Sequence, residues 1–273
     1  MSNVYKSSSL PDAKAQDWID SRLYVKSSPS TAYSPDELAL CHKPAHELYQ
    51  MVADKKMTLP EAVKRFHHQK QLLGNKHMAL TDVLYDQPLA FAQDLQKEVD
   101  EQGASTVASK RPLLGFIISI KDSVIYKGTY STHGFKRSFI HPFQWTAGMI
   151  THLESLGAVI TCKGNVPQAL MACESDNNLF GNVSNPHGPT RTAGGSSGGE
   201  AALIASFQVN AAVGSDVAGS LRIPALFCGI VSLKPTAGRL AEVESNYAQQ
   251  WKDFEGQGDY QTLILPTCGP MAR

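Results

Sequence analysis

The chain has 273 residues, enough to bury a substantial core as one large domain or two modest ones. Its 25 Lys and Arg balance its 25 Asp and Glu, so total charge argues against nucleic acid or an anionic membrane and leaves small uncharged substrates open. Five scattered cysteines without a CxxC pair read as reduced thiols, and neither a secretory signal nor a run long enough to span a membrane is found, so the expected location is the cytoplasm.

Residues 1–105 read mostly as helix, an amino-terminal helical region. "SPDELAL" and "PAHELYQMVADKK" look like helix starts, with Ser34 as a cap and Pro35 and Pro44 in or near first turns. Thr58 and Glu61 make a capping box around Pro60, ahead of apolar positions at Val63, Phe66, Leu72 and Leu73. "LAFAQDLQKEVDEQG" closes with Gly103 as the stop.

From residue 106 onward the pattern changes to an α/β core. "RPLLGFIISIKD" is a continuous apolar run ending in a lysine, as expected of a strand buried on both faces. "WTAGMITHLESLG" reads as helix with Gly157 as its stop, and a strand follows from Ala158 to Cys162. "EAALIASF", "NAAVGSDV" and "CGIVSLKP" continue the alternation, which predicts a β-sheet with helices on both faces. The segment "NYAQQWKDFEGQGDYQTLILPTCGPMAR" turns apolar without a closing helix, so the expectation is an incomplete, truncated core over 106–273.

Two small-residue turns hold the candidate chemistry. Gly194-Gly195-Ser196-Ser197-Gly198 matches G-x-S-x-G around Ser196, but all nine histidines lie upstream of it, so the order of an α/β-hydrolase fails. A His-Asp-Ser order through His187, Asp216 and Ser220 is formally open, with nothing in the sequence to specify its geometry. There is no G-x-x-x-x-G-K-[ST], no G-x-G-x-x-G in either turn and no HExxH; adjacent His67 and His68 point to different faces of a helix.

A lysine can replace histidine as base if burial lowers its pKa, and Lys121 ends the most apolar strand candidate. The other reading of Lys121 is a strand's exit to water. In "GSDVAGSLRIP" the N–H groups from Val217 to Ser220 could face a developing oxyanion, or the segment is simply a tight strand-to-helix turn.

"GGSSGGE" followed by "GSDVAGSLRIPALFCGIVSLKPTAGRL" resembles the amidase signature family. "GFIISIKDSVIYKGTYSTHG" is similar to that family's lysine strand, and "GNVPQALMACESDNNLFGNVSNP" to the segment between them. The blocks cover roughly residues 105 to 273 in the family's order and look closest to its eukaryotic branch, with fatty-acid amide hydrolases and fungal acetamidases. Two positions depart from the pattern: Gly115-Phe116-Ile117 in place of G-[VI]-P, and Ala218-Gly219-Ser220 in place of Gly-Gly-Ser.

The resemblance implies a Ser-cisSer-Lys triad, with Ser220 as nucleophile, Ser196 as the bridging serine on a cis peptide, and Lys121 as base. It implies an oxyanion hole from the N–H groups of Val217, Ala218, Gly219 and Ser220. Ser197, Asp216, Arg222 and Asp176 fall at supporting positions, and Met171 and Cys173 where an acyl pocket is lined. The implied reaction is hydrolysis of a small-molecule amide to carboxylate and amine, with no cofactor and no metal. A homodimer is compatible with the sequence. The alternatives are a catalytically inactive or truncated family member, and the amidase subunit of a tRNA-dependent amidotransferase.

Overall fold

The computed structural model describes residues 39–73, 76–139, 141–240 and 267–273, together with Asp17, Ser34 and Asp36. The helix start expected at Pro35 and the polar stretch 246–265 lie outside the described residues.

The amino-terminal part contains α1 (Ala45–Ala53), α2 (Leu59–Leu73), β1 (Leu80–Val83), α3 (Asp86–Gln102) and α4 (Ala104–Lys110). Local chemistry sets these bounds. The Glu61 N–H donates to Thr58 Oγ1 at 3.3 Å, while Pro60 occupies a first-turn position where no backbone donor is needed. α3 ends at Gly103, which takes φ 84° and returns its N–H to the Val99 carbonyl at 2.9 Å. Leu48, Val52, Val63, Phe66, Leu95 and Val99 then form one buried cluster that also takes in Ile117 and Val159 of the sheet.

The rest of the chain supplies β2 (Ile117–Lys121), α5 (Gly148–Ser155), β3 (Val159–Gly164), β4 (Asp176–Asn177), β5 (Gly181–Asn182), β6 (Ser184–Asn185), β7 (Gly188–Thr192), α6 (Gly198–Ala205), β8 (Ala211–Asp216), α7 (Arg222–Cys228), β9 (Val231–Ser232) and β10 (Thr267–Ala272). Six strands form the central sheet in the order β1-β3-β2-β8-β10-β9. β2 is parallel to β3 and β8, whereas β1, β10 and β9 join antiparallel, so the sheet is mixed.

Helices cover both faces. Ile118, Ile120, Ile160, Val213 and Cys268 pack with Ile150 of α5, and Cys162, Ala212 and Met271 pack with Ala201, Ala202, Leu203 and Ile204 of α6. α6 is buried at every position, its glycine, alanine, leucine and isoleucine residues leaving Glu200 as its one ionisable side chain. Because strand side chains alternate, Ile118 and Ile120 facing α5 places Ser119 and Lys121 on the α6 side.

Two details differ from the sequence expectation. β1 lies in the region read mostly as helix, where it pairs Asp82 with Lys163 and Val83 with Cys162. The strand expected over Ala158–Cys162 runs from Val159 to Gly164. At the end of the given sequence β10 is paired on both sides, by β8 and β9. Among the described residues no helix is long and apolar enough to cross a membrane.

Candidate active site

β2 delivers Lys121 to the sheet's carboxyl end with no exposed surface. Its Nζ donates to Ser196 Oγ at 2.7 Å and to Ser215 Oγ at 3.0 Å. The strand therefore does not end at an exit to water. Burial drives the Lys121 amine down to about 8, while Glu200, Cys268, Asp216 and Asp122 each pull it back up. An amine at that value is a base within reach of neutral pH.

Ser196 sits in the glycine turn that precedes α6, and the Gly195–Ser196 peptide is cis. The turn is pinned from several sides. Gly194 takes φ 84°, and its N–H donates to Thr192 Oγ1 at 3.0 Å. Ser175 Oγ donates to the Gly194 carbonyl and accepts the Gly198 N–H, each at 3.0 Å. The Gly199 N–H donates to the Asn165 carbonyl at 3.0 Å, tying α6 to the end of β3.

The second turn follows β8, one strand away from β2. Asp216 is buried and organises it: Oδ1 accepts the Gly219 N–H at 2.7 Å and Oδ2 the Leu221 N–H at 3.0 Å. The Arg222 guanidinium adds Nε to Oδ2 at 3.1 Å and Nη2 to Oδ1 at 3.0 Å. Burial alone would raise the Asp216 pKa, but Arg222 and these two N–H groups outweigh it and hold the carboxyl below its usual range. Gly219 carries the positive φ of the turn, 132°, which suits glycine and spares Ala218. The Gly219 N–H thus faces Asp216, unlike the expectation that it joins Val217, Ala218 and Ser220 as an oxyanion donor.

The two turns meet. The Ser197 N–H donates to the Ser220 carbonyl at 3.2 Å, and Ser197 Oγ bridges the Ser215 carbonyl and N–H, each at 3.3 Å. Ser220, half-buried, is thereby fixed beside the Ser196 turn, whose hydroxyl Lys121 holds. His187 Nε2 lies 3.0 Å from the Cys228 carbonyl, while the Asp216 carboxylate is taken up by Arg222 and the Gly219 and Leu221 N–H groups.

Asp176 is exposed on β4, and the bracing of the glycine turn comes from its neighbour Ser175. In extended chain a one-residue offset turns a side chain to the opposite face, so Ser175 and Asp176 point apart. Met171 and Cys173 are exposed, on a loop whose Ala172 carbonyl and Glu174 N–H would each lie 2.8 Å from a Cβ on Gly195. Sequence reasoning also missed Ser215 and Glu200. Ser215 lies in the run read as a strand and a turn, with no role assigned to its hydroxyl, and Glu200 was read as part of a helix.

A protein-family model described as Amidase matches residues 61–273. An amidase of Gibberella moniliformis is 42% identical over 197 residues, covering 71% of this chain and 35% of that protein. Fatty acid amide hydrolase 1 of Caenorhabditis elegans is 37% identical over 237 residues, covering 79% of this chain and 41% of that protein. A solved structure of a fatty acid amide hydrolase superposes with a TM-score of 0.80 at 26% identity, covering 96% of this chain and 48% of that one. The chain thus spans less than half the length of these relatives. On the match over 61–273 and these relatives, it belongs to the amidase family.

Proposed function

We propose that the chain carries the catalytic machinery of an amide hydrolase that works through an acyl-enzyme on Ser220. The observation that carries this reading is the 2.7 Å hydrogen bond from buried Lys121 to Ser196 beside the Ser220 turn. Neutral Lys121 takes the Ser196 proton as Ser196 takes the Ser220 proton, and Ser220 Oγ bonds to the amide carbonyl carbon. The carbonyl oxygen gains the negative charge. Of the turn's donors, the N–H groups of Val217, Ala218 and Ser220 serve that oxyanion, while the Gly219 N–H keeps the turn anchored on Asp216.

Collapse of the tetrahedral species breaks the C–N bond, and the relay returns its proton to the leaving amine. Water then repeats the sequence on the ester, releasing carboxylate and restoring the Ser220 hydroxyl. Substrates of this chemistry are small carboxylic amides, consistent with the names of the relatives. In this reading the loop bearing Met171 and Cys173, whose Ala172 carbonyl and Glu174 N–H closely approach Gly195, contacts the acyl group.

The test is amine or ammonia release from a panel of short and long-chain amides by the full chain and by Ser220→Ala. Turnover is expected in the former, with the Ser220→Ala rate down by at least about 10³-fold. Equal rates in the two would refute Ser220 as nucleophile. No turnover in either points to the inactive family member, and release that needs partner subunits and tRNA points to the amidotransferase reading.

A further inference from the structure

α6 is an Ala, Leu and Ile helix with one carboxylic acid inside it. Glu200 has no exposed surface, and neither carboxyl oxygen has a side-chain partner among the described residues. The carboxyl is seated against Gly164: a Cβ built there would lie 2.6 Å from Glu200 Cδ and 2.9 Å from Glu200 N. Gly164 is the register partner of Lys121 across β2 and β3, and its carbonyl accepts the Asp122 N–H at 3.0 Å. The acid therefore lies on the α6 face of the sheet, beside the strand position that holds the base.

An alanine or leucine would fill this α6 position at less cost, since a buried carboxyl without a side-chain partner opposes folding. We propose that Glu200 is a positioning residue for the amine: it is the electrostatic counter-group of Lys121, and the two titrate as one unit. This rests on the reading of Lys121 as the base.

Burial pushes the two groups in opposite directions, Lys121 down to about 8 and Glu200 up to about 8. Each one's charge resists the other's shift, Glu200 raising Lys121 and Lys121 lowering Glu200. Lys121 is also faced by Asp122 at the end of its own strand, Asp216 of β8, Cys268 of β10 and His133. Glu200 is faced by Asp122, and by Lys163 and Cys162 of β3. Fully protonated, the pair carries one positive charge. Loss of one proton makes it neutral, as ammonium with carboxylate or as amine with acid, and loss of the second leaves one negative charge. The amine–acid form supplies the neutral base without leaving a net charge in the dry core.

The experiment follows the infrared C=O stretch of protonated carboxyls, and the rate at which a fluorophosphonate labels Ser220, against pH in the full chain, Glu200→Gln and Lys121→Met. A carboxyl band is expected to disappear as pH rises through about 8, to be missing in Glu200→Gln, and to titrate at higher pH in Lys121→Met. Labelling in Glu200→Gln is expected to set in about one pH unit lower, because the carboxylate no longer holds the ammonium. A residue needed only for packing lowers the rate without moving that midpoint. The coupling is overturned if no carboxyl titrates between about pH 6 and 10, or if Lys121→Met leaves its midpoint in place. Should Glu200→Gln fail to fold, Glu200→Ala, which introduces no buried donors, is read in the same way. Wild-type protein with the expected band but no labelling at any pH retains the pair and rejects the serine chemistry; normal labelling with an unmoved midpoint rejects the pair alone.

Discussion

Lys121→Met is expected to slow labelling of Ser220 by a fluorophosphonate by about 10²–10⁴-fold near pH 8, the range that a positioned general base contributes. Methionine keeps the length and apolar stem of lysine, so the packing along β2 survives while the amine that holds Ser196 at 2.7 Å is lost. In the unsubstituted chain labelling should rise through about pH 8, where Lys121 gives up its proton, and in Lys121→Met that rise should vanish. Stability reports the same group independently. Its folded value of about 8 lies below lysine's ordinary 10.5, so between those values the unfolded chain binds more protons. The contribution of Lys121 to stability therefore increases with pH across that window, and its cost is fully present below about 8. Thermal melts of Lys121→Met should lose that rise with pH, and turn downward where Glu200 keeps its proton to higher pH; an unchanged profile in both rate and stability would mean that the amine is not the titrating group.

Gly199→Ala is expected to destabilise the fold by about 3 kcal/mol or more and to abolish Ser220 labelling, as read by chemical denaturation and adduct formation. A Cβ at this position would meet the backbone of Asn165 and, at 2.7 Å, the Gly164 carbonyl carbon. These are main-chain atoms at the end of β3, so no side chain can rotate away. The Gly199 N–H also bonds the Asn165 carbonyl, and lifting α6 breaks that bond and shifts Ser196, three residues ahead. Gly103→Ala is the comparison: there φ is +84° but nothing lies within 4 Å of the added Cβ, so only the backbone penalty of about 1–3 kcal/mol applies and Ser220 labelling is kept. Equal effects for the two substitutions would contradict the close approach of α6 to β3.

The sheet's centre was legible because its signals are local. "LLGFIISIK" is a continuous apolar run and Gly157 and Gly103 are stops, and the structure puts β2, α5 and α3 at those places. β1 was not legible, since the pairing of Leu80–Val83 with β3 joins positions far apart in the chain. The two serine turns and Lys121 could be picked out from residue types and from the family's blocks, but their neighbours could not. Ser215 and Glu200 approach Lys121 through sheet register and helix packing, which bring together positions far apart in the chain. The use of the Gly219 N–H by Asp216 depends on the hydrogen-bonded path of one turn, and the role of Ser175 over Asp176 on one residue of offset.

Ser220 is the hydroxyl that the proposed relay makes reactive. Its most direct test is to treat the full chain with a fluorophosphonate and locate the adduct by mass spectrometry of its peptides. A single phosphonylated residue, Ser220, is expected, with modification lost in Ser220→Ala. An adduct on Ser196 or Ser215, or one that persists at equal rate in Ser220→Ala, would contradict it.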